Sequence, residues 1–345
     1  MIHSKIDEKI LLPMPELLPT RRVELSTLGR HLADARFDLS ILRMAATGDT
    51  TGPRVIISHS YDQFVRAAVQ PHTSGWSRQG REQDSFFGVI RVDGNTAGIL
   101  ICGVFLAFVE ALGHARAGSS LTAAEWEQML AGPTAMLHYY VGSPAATSSL
   151  GYLVPSLPPT PAPAGEPRIQ WEIGHRLFFT LTQCITVALS CFASEYAADN
   201  TDQSVLALNL ATILMRAAAM SMRFASDFPA ADYHADVRLS MRPPHVSPGF
   251  SGVMGRDHQV LVSLLRRLRP IFGTLDRDAT TLDEFRAATR GLFTAHEHVC
   301  SKFGGDDKPS LLMETRGTCN PTETASTVAR RLSQRRLSLI GSPTA

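Results

Sequence analysis

Residues 295–300 read Ala-His-Glu-His-Val-Cys, which sets His296 and Cys300 four positions apart. On an α-helix that spacing puts both side chains on one face, while His298, two positions on, is turned away by roughly 200°. An imidazole and a thiol facing one space support three chemistries. They pack as a hydrogen-bonded core histidine beside a small buried cysteine. They supply two of the roughly four ligands that a structural zinc needs. Or they serve a haem, the imidazole as axial ligand and the thiol adding to a porphyrin vinyl group. No second cluster of zinc ligands stands nearby. The cysteines Cys102, Cys184, Cys191, Cys300 and Cys319 are scattered, so there is neither a CxxCH attachment signal nor a disulfide framework.

A second group lies upstream. His258 follows Arg256 and Asp257 in MGRDHQVLVSLLRRL (254–268), directly after the loop SPGFSG (247–252). A histidine at the mouth of a helix serves as an axial ligand, as an acid/base group with an ordinary pKa near 6.5, or as a cap partner. The loop glycines allow close backbone approach to a flat ligand, but the stretch is too short for a nucleotide P-loop and lacks its lysine. His59 and Tyr61 before one helix, and His175 and Arg176 at the start of another, are further pocket candidates.

These residues need elements to hold them. Apolar residues recur at three- and four-residue steps over 24–46, 98–115, 169–195, 201–226, 256–272 and 282–303, which predicts a mainly α architecture, a helical bundle. Within 24–46 the pattern predicts one long helix; another begins near Ser60 and ends by Pro71, and a short one covers 133–141. Thr122 and Glu125 have capping-box spacing. FFGVIRV (86–92) is a short strand candidate turning at Asp93-Gly94. The chain divides into an irregular N-terminal arm (1–22), a helical part (23–152), a proline-rich strap (153–167), a second helical part bearing the histidines (168–315) and a basic tail (316–345), flexible or docked on the surface. The two helical parts form one unit. With 345 residues and 44% hydrophobic content, that unit has ample core.

Charge narrows the partners. Thirty-three basic against 32 acidic residues leave +1, no global field for nucleic acid or an anionic membrane. LFFTLTQCITVALSCFAS (177–194) reaches the lower edge of membrane-span length, but its Thr, Gln, Ser and Cys content predicts a helix buried in protein. The mixed-charge, proline-bearing start lacks a secretory pattern, and the cysteines fit a cytoplasmic location. Oligomeric state stays open, a homodimer included.

HEHVC (296–300), preceded by SPGFSG and GRDHQ (255–259) in a helical chain, resembles the histidine-ligated haem aromatic-amino-acid hydroxylases of natural-product pathways. The closest likeness is to the 3-methyl-L-tyrosine hydroxylases of saframycin-type biosynthesis, distantly related to the tryptophan and indoleamine dioxygenase superfamily. The resemblance implies a helical bundle enclosing haem, with His296 as axial ligand and Cys300 as covalent anchor. It implies hydrogen peroxide as oxidant and ortho-hydroxylation of L-tyrosine or 3-methyl-L-tyrosine to a catechol amino acid. His258 becomes a second iron ligand or a catalytic acid/base. Arg256 is assigned to catalysis and to the substrate carboxylate, and His59, Tyr61, His175, Ser247, Phe250, Ser251 and Gly252 are assigned to the substrate pocket. A dioxygen-dependent indole-cleaving haem dioxygenase and a non-catalytic haem sensor are the alternatives.

Overall fold

The structure, a computed structural model, describes residues 9–26, 28, 37–68, 76–116, 118–141, 166–252, 255–275, 280–304, 310–316 and 324–341. In chain order the elements are β1 (Ile10–Pro13), α1 (Val23–Ser26), α2 (Ser40–Thr47), α3 (Thr51–Phe64), β2 (Val65–Ala68), α4 (Arg78–Phe86) and β3 (Val89–Gly94). There follow α5 (Thr96–Ala115), α6 (Ala123–Val141), α7 (Pro167–Ala197), α8 (Thr201–Ala225), α9 (Arg256–Thr274), α10 (Thr280–Gly304), α11 (Leu311–Arg316) and α12 (Ala325–Leu337). The mainly helical architecture expected from the periodicity is what the chain adopts.

Several local expectations change. The arm contributes β1, paired in parallel with β3 (Ile10 opposite Val89), and β2 pairs antiparallel on the other side of β3. The run over 24–46 is not one helix: residues 37–39 are non-helical, and Asp38 accepts the Ser40 N–H at 2.7 Å, so the side chain competes with the helix for a backbone donor. The helix placed near Ser60 starts at Thr51 instead and stops where β2 begins. The short 133–141 helix is the second half of α6, which carries Pro133 internally. Its expected capping box forms: Glu125 N donates to Thr122 Oγ1 at 3.3 Å, and Thr122 N donates to Glu125 Oε2 at 2.7 Å. The strap lies outside the described residues except for Glu166 and Pro167, which open α7. The tail, expected to be either mobile or docked on the surface, is helical over 325–337 and docked, with Ile340 fully buried just beyond it.

Helices α7 and α8 are antiparallel neighbours across a three-residue turn and form the centre. Helices α5 and α9 pack on α7, and α6 and α10 pack on α8. Where the end of α8 crosses the start of α7, a Cβ on Gly174 would stand 2.5 Å from the Ala225 Cα, so only glycine permits the approach. Helices α5, α7 and α8 are long and apolar enough to cross a bilayer, yet between 61% and 89% of each apolar window is buried inside the protein. Each large apolar side chain so covered contributes roughly 1.5–3 kcal/mol.

One polar cluster ties these layers together. Arg91 on β3 donates to both oxygens of Asp84 (2.9 and 2.8 Å), to both oxygens of Asp257 (3.1 and 2.7 Å) and to the Pro13 carbonyl (3.1 Å). Gln183 on α7 donates to the same carbonyl at 3.0 Å and to Asp257 at 2.7 Å. Burial works against the Arg91 charge, but Asp257 and Asp84 more than reverse that, and its pKa rises above the ordinary arginine value. The first turn of α9, next to His258, is thereby fixed to β1, β3, α4 and α7.

Candidate active site

Helix α10 forms because Leu282, Phe285, Ala288, Leu292 and Ala295 recur at helical steps and are buried. The same seam carries His296 and Cys300 inward, and His298 is exposed. His296 Nε2 and Cys300 Sγ are 3.9 Å apart. Burial lowers the His296 pKa, with Glu297 opposing, and pushes the Cys300 thiol up to about 11, helped by Glu297. At neutral pH the pair is therefore a neutral imidazole beside a protonated thiol.

His258 stands in the first turn of α9, after Gly255 at the N-cap. Its Nε2 is buried and has no hydrogen-bond partner among the described residues. Leaving such an atom unsatisfied costs about 1–3 kcal/mol, which marks it as a group awaiting a ligand or substrate. Burial, then the charge of Arg336, then His296 lower its pKa to about 4. His175 is also held at about 4, chiefly by burial, and it too feels His296. Imidazoles on α7, α9 and α10 are thus all held neutral, and both His175 and His258 feel the charge of His296.

Helix α7 builds the wall between them. Trp171 and His175 repeat the four-residue spacing of His296 and Cys300, and His175 Nδ1 meets the Trp171 carbonyl at 2.7 Å. A carbonyl only accepts, so Nδ1 carries the proton and Nε2 keeps a lone pair. The His175 ring lies flat on Phe87, with centroids 4.4 Å apart and planes 8° from parallel. Phe87 continues to Phe250 of the SPGFSG loop (6.0 Å). In the other direction Trp171 meets Tyr233 (5.7 Å) and Phe303 (6.0 Å), and Tyr233 stacks on Phe303 at 4.3 Å. An unbroken aromatic belt runs from the helix of Cys300 to the glycine loop. Trp171, Tyr233 and Phe303 were missed in the sequence; the i, i+4 partner of His175 was the available signal for Trp171.

Other candidates fall elsewhere. His59 is exposed, within α3 rather than before it. Tyr61 is fully buried in the N-terminal core, where its hydroxyl donates to the Leu11 carbonyl at 3.0 Å. Arg256 is ion-paired through Nε with Glu16 of the N-terminal segment. Ser247 donates from both N (3.2 Å) and Oγ (2.7 Å) to Glu82, making it a loop anchor rather than a pocket donor. Ser251 lines a crevice of about 10 Å³ with its loop neighbours, and Gly252 is exposed. Of that loop, Phe250 reaches the belt. Arg176 donates to Glu110 at 3.0 Å and borders a separate cavity of about 670 Å³ with Arg54, Arg116, Arg168, Glu110 and Glu172.

The donor set suits a haem better than a bare metal ion. Among the described residues no group of three or more His, Cys, Asp or Glu is placed to hold a metal. Two imidazoles from different helices, a thiol one turn from one of them and a belt of flat rings are what a planar macrocycle with axial iron requires.

The profile of the family described as SfmD 3-methyl-L-tyrosine peroxygenase matches residues 11–288, a span that ends before His296 and Cys300. A 3-methyl-L-tyrosine peroxygenase from Streptomyces lavendulae is 29% identical over 316 residues, 86% of this chain and 82% of the relative. The crystal structure of reduced SfmD, obtained by soaking with sodium hydrosulfite, superposes with a TM-score of 0.66 at 23% identity, covering 85% of this chain and 97% of that one. The chain belongs to the SfmD 3-methyl-L-tyrosine peroxygenase family.

Proposed function

We propose that this enzyme is a haem-dependent peroxygenase that hydroxylates L-tyrosine or 3-methyl-L-tyrosine ortho to the phenol, giving a catechol amino acid. The balance is one ring C–H and one hydrogen peroxide converted to one C–OH and one water. The observation that carries the reading is the buried His296–Cys300 pair, 3.9 Å apart on one helical turn, together with a His258 Nε2 that is buried without a partner. The name of the Streptomyces lavendulae relative supports the substrate class.

Haem, when bound, supplies the redox centre at which peroxide is activated. His296 would hold the iron through its neutral imidazole. Cys300, protonated at neutral pH, would add its S–H across a vinyl double bond, forming a C–S bond with no oxidant consumed. His258, whose Nε2 is buried on α9 without a partner, would either help hold the group or hold the proton that peroxide gives up. A base with a low pKa does not stay protonated, so a proton accepted there is returned promptly. His175, with Nδ1 tied to Trp171, would offer Nε2 to the substrate phenol. Trp171, Phe87 and Tyr233 would wall the ring and exclude water.

The test is denatured intact mass with a visible spectrum, followed by incubation with tyrosine, 3-methyltyrosine and peroxide without reductant. A mass increment equal to haem that disappears in Cys300→Ala, together with catechol product, is the expected result. Colourless protein from haem-replete cells would defeat the reading, and turnover that needs dioxygen and ferrous iron would favour indole-type dioxygenase chemistry instead.

A further inference from the structure

The cavity of about 670 Å³ beside Arg176 is separate from the candidate active site: none of the described residues of α9 or α10 lines it. Its walls are the second half of α5, the first turns of α7, the start of α3, the end of α4 and the turn at Gly48. Five cationic side chains border it, Lys9, Arg54, Arg116, Arg168 and Arg176, against two carboxylates, Glu110 and Glu172. His114 adds no charge at neutral pH, because burial lowers its pKa, with Gln170 opposing. Five against two leaves +3 in this one cavity, in a chain whose formal net charge is +1.

The cations are held in place. Glu110, with its side chain 3% exposed, accepts from Arg176 at 3.0 Å and from Arg54 at 3.4 Å, so one buried carboxylate fixes two guanidiniums on the wall. Arg168 meets Glu172 at 3.1 Å. Among the described residues neither Lys9 nor Arg116 is in an ion pair. Arg116 is nonetheless positioned: its Nη1 donates to the Ala46 carbonyl at 3.4 Å, and its guanidinium lies against Gly48, where a Cβ would stand 2.8 Å from Cζ. Gly48 caps α2 in the left-handed region, with φ 107°, so the residue that turns the chain also leaves that guanidinium its room. The remaining wall includes Phe86, Val109, Ile169 and Ile173, an apolar surface beside the cationic one.

We propose that this cavity is a second ligand site, which binds a small organic molecule carrying at least two negative charges, as phosphate or carboxylate, with its apolar body against Ile169 and Ile173. The volume lies within the roughly 300–1,000 Å³ of small-molecule sites. A concave wall of one sign of charge concentrates ligands of the other, and guanidinium forks fit phosphate and carboxylate alike. The site stands apart from the haem reading, and neither fails with the other.

The experiment is calorimetric titration of the full-length protein at low ionic strength with ADP, citrate and adenosine. ADP and citrate supply multiple charge in the two chemistries, and adenosine supplies an organic body without charge. Saturable binding of ADP or citrate, with adenosine silent, is expected; which anion binds tighter tells phosphate from carboxylate. Arg116→Gln should raise Kd by roughly tenfold or more, the scale of a charge-assisted hydrogen bond. Ile169→Glu, at a position 41% exposed and so tolerant of charge, should weaken binding likewise. Arg335→Gln, an exposed arginine of α12 outside the lining, should leave Kd unchanged. Lys9→Gln takes the place of Arg116→Gln if that variant loses its helical circular dichroism. No saturable binding of either anion, adenosine binding as tightly as ADP, or an equal effect of Arg116→Gln and Arg335→Gln overturns the proposal.

Discussion

His258→Ala separates holding a cofactor from using one. With His296 and Cys300 intact, haem content measured as pyridine haemochrome should stay near the wild-type level, while peroxide-driven hydroxylation should fall by roughly a hundredfold or more, the usual contribution of a positioned acid/base group. Titration gives a second expectation. Burial depresses His175 to about 4 and lowers His114, with Gln170 opposing in the latter case. A base whose folded pKa lies below its unfolded value binds protons preferentially in the unfolded chain. Stability is therefore complete above about 6.5 and is lost as pH falls through about 4. Thermal unfolding of the apoprotein should show Tm declining across that window, and His175→Phe, which keeps a ring on Phe87, should flatten the decline. HxxxC was legible in the sequence because its geometry is local: one helical turn fixes which residues share a face. The pairing of Arg256 with Glu16 was not legible, because the two are remote in the chain and no spacing rule predicts it.

Among the elements, one substitution should carry opposite signs at two glycines. Gly174→Ala drives a methyl into the Ala225 backbone and should cost about 1–3 kcal/mol, displacing the adjacent His175. Gly291→Ala meets nothing within 4 Å in the middle of α10 and should stabilise by roughly 0.5–1 kcal/mol. Urea midpoints of the two variants check both. The periodic segments gave the principal helices within a few residues because amphipathic burial has a period that shows in sequence. The break at residues 37–39 did not, because Asp38 accepting from Ser40 is a competition between side chain and backbone that a hydrophobic pattern does not record. Strand β1 was hidden for a related reason: ILLP is too short to show alternation, and its stability comes from pairing with residues 89–92.

For the molecule as a whole, the Arg91 cluster is the hub. Arg91→Met strands two buried carboxylates, Asp84 and Asp257, and should cost about 3–5 kcal/mol, read as a lower Tm with loss of two-state unfolding between the sheet and α9. Replacing Asp84 and Asp257 by Asn in the same chain should recover part of that loss, since the stranded charges are then gone. Nothing in the sequence singled out this hub, because Arg91 and Asp257 are 166 residues apart. The sequence left the tail open between mobile and docked because its arginines look like a solvated run, while the apolar and small residues between them form a packing seam.

The contrast between that hub and the attachment of α12 has a consequence in electrolyte. The Arg91 pairs are almost wholly shielded from water, so dissolved ions do not reach them, whereas Arg330 and Glu297, paired at 2.7 Å, keep side-chain exposures of 63% and 28%. Above physiological ionic strength the Debye length shrinks below 8 Å, and only the second kind of contact weakens. Concentrated sodium chloride would thus loosen the Arg330–Glu297 contact beside His296 while leaving the frame that carries His258 in place.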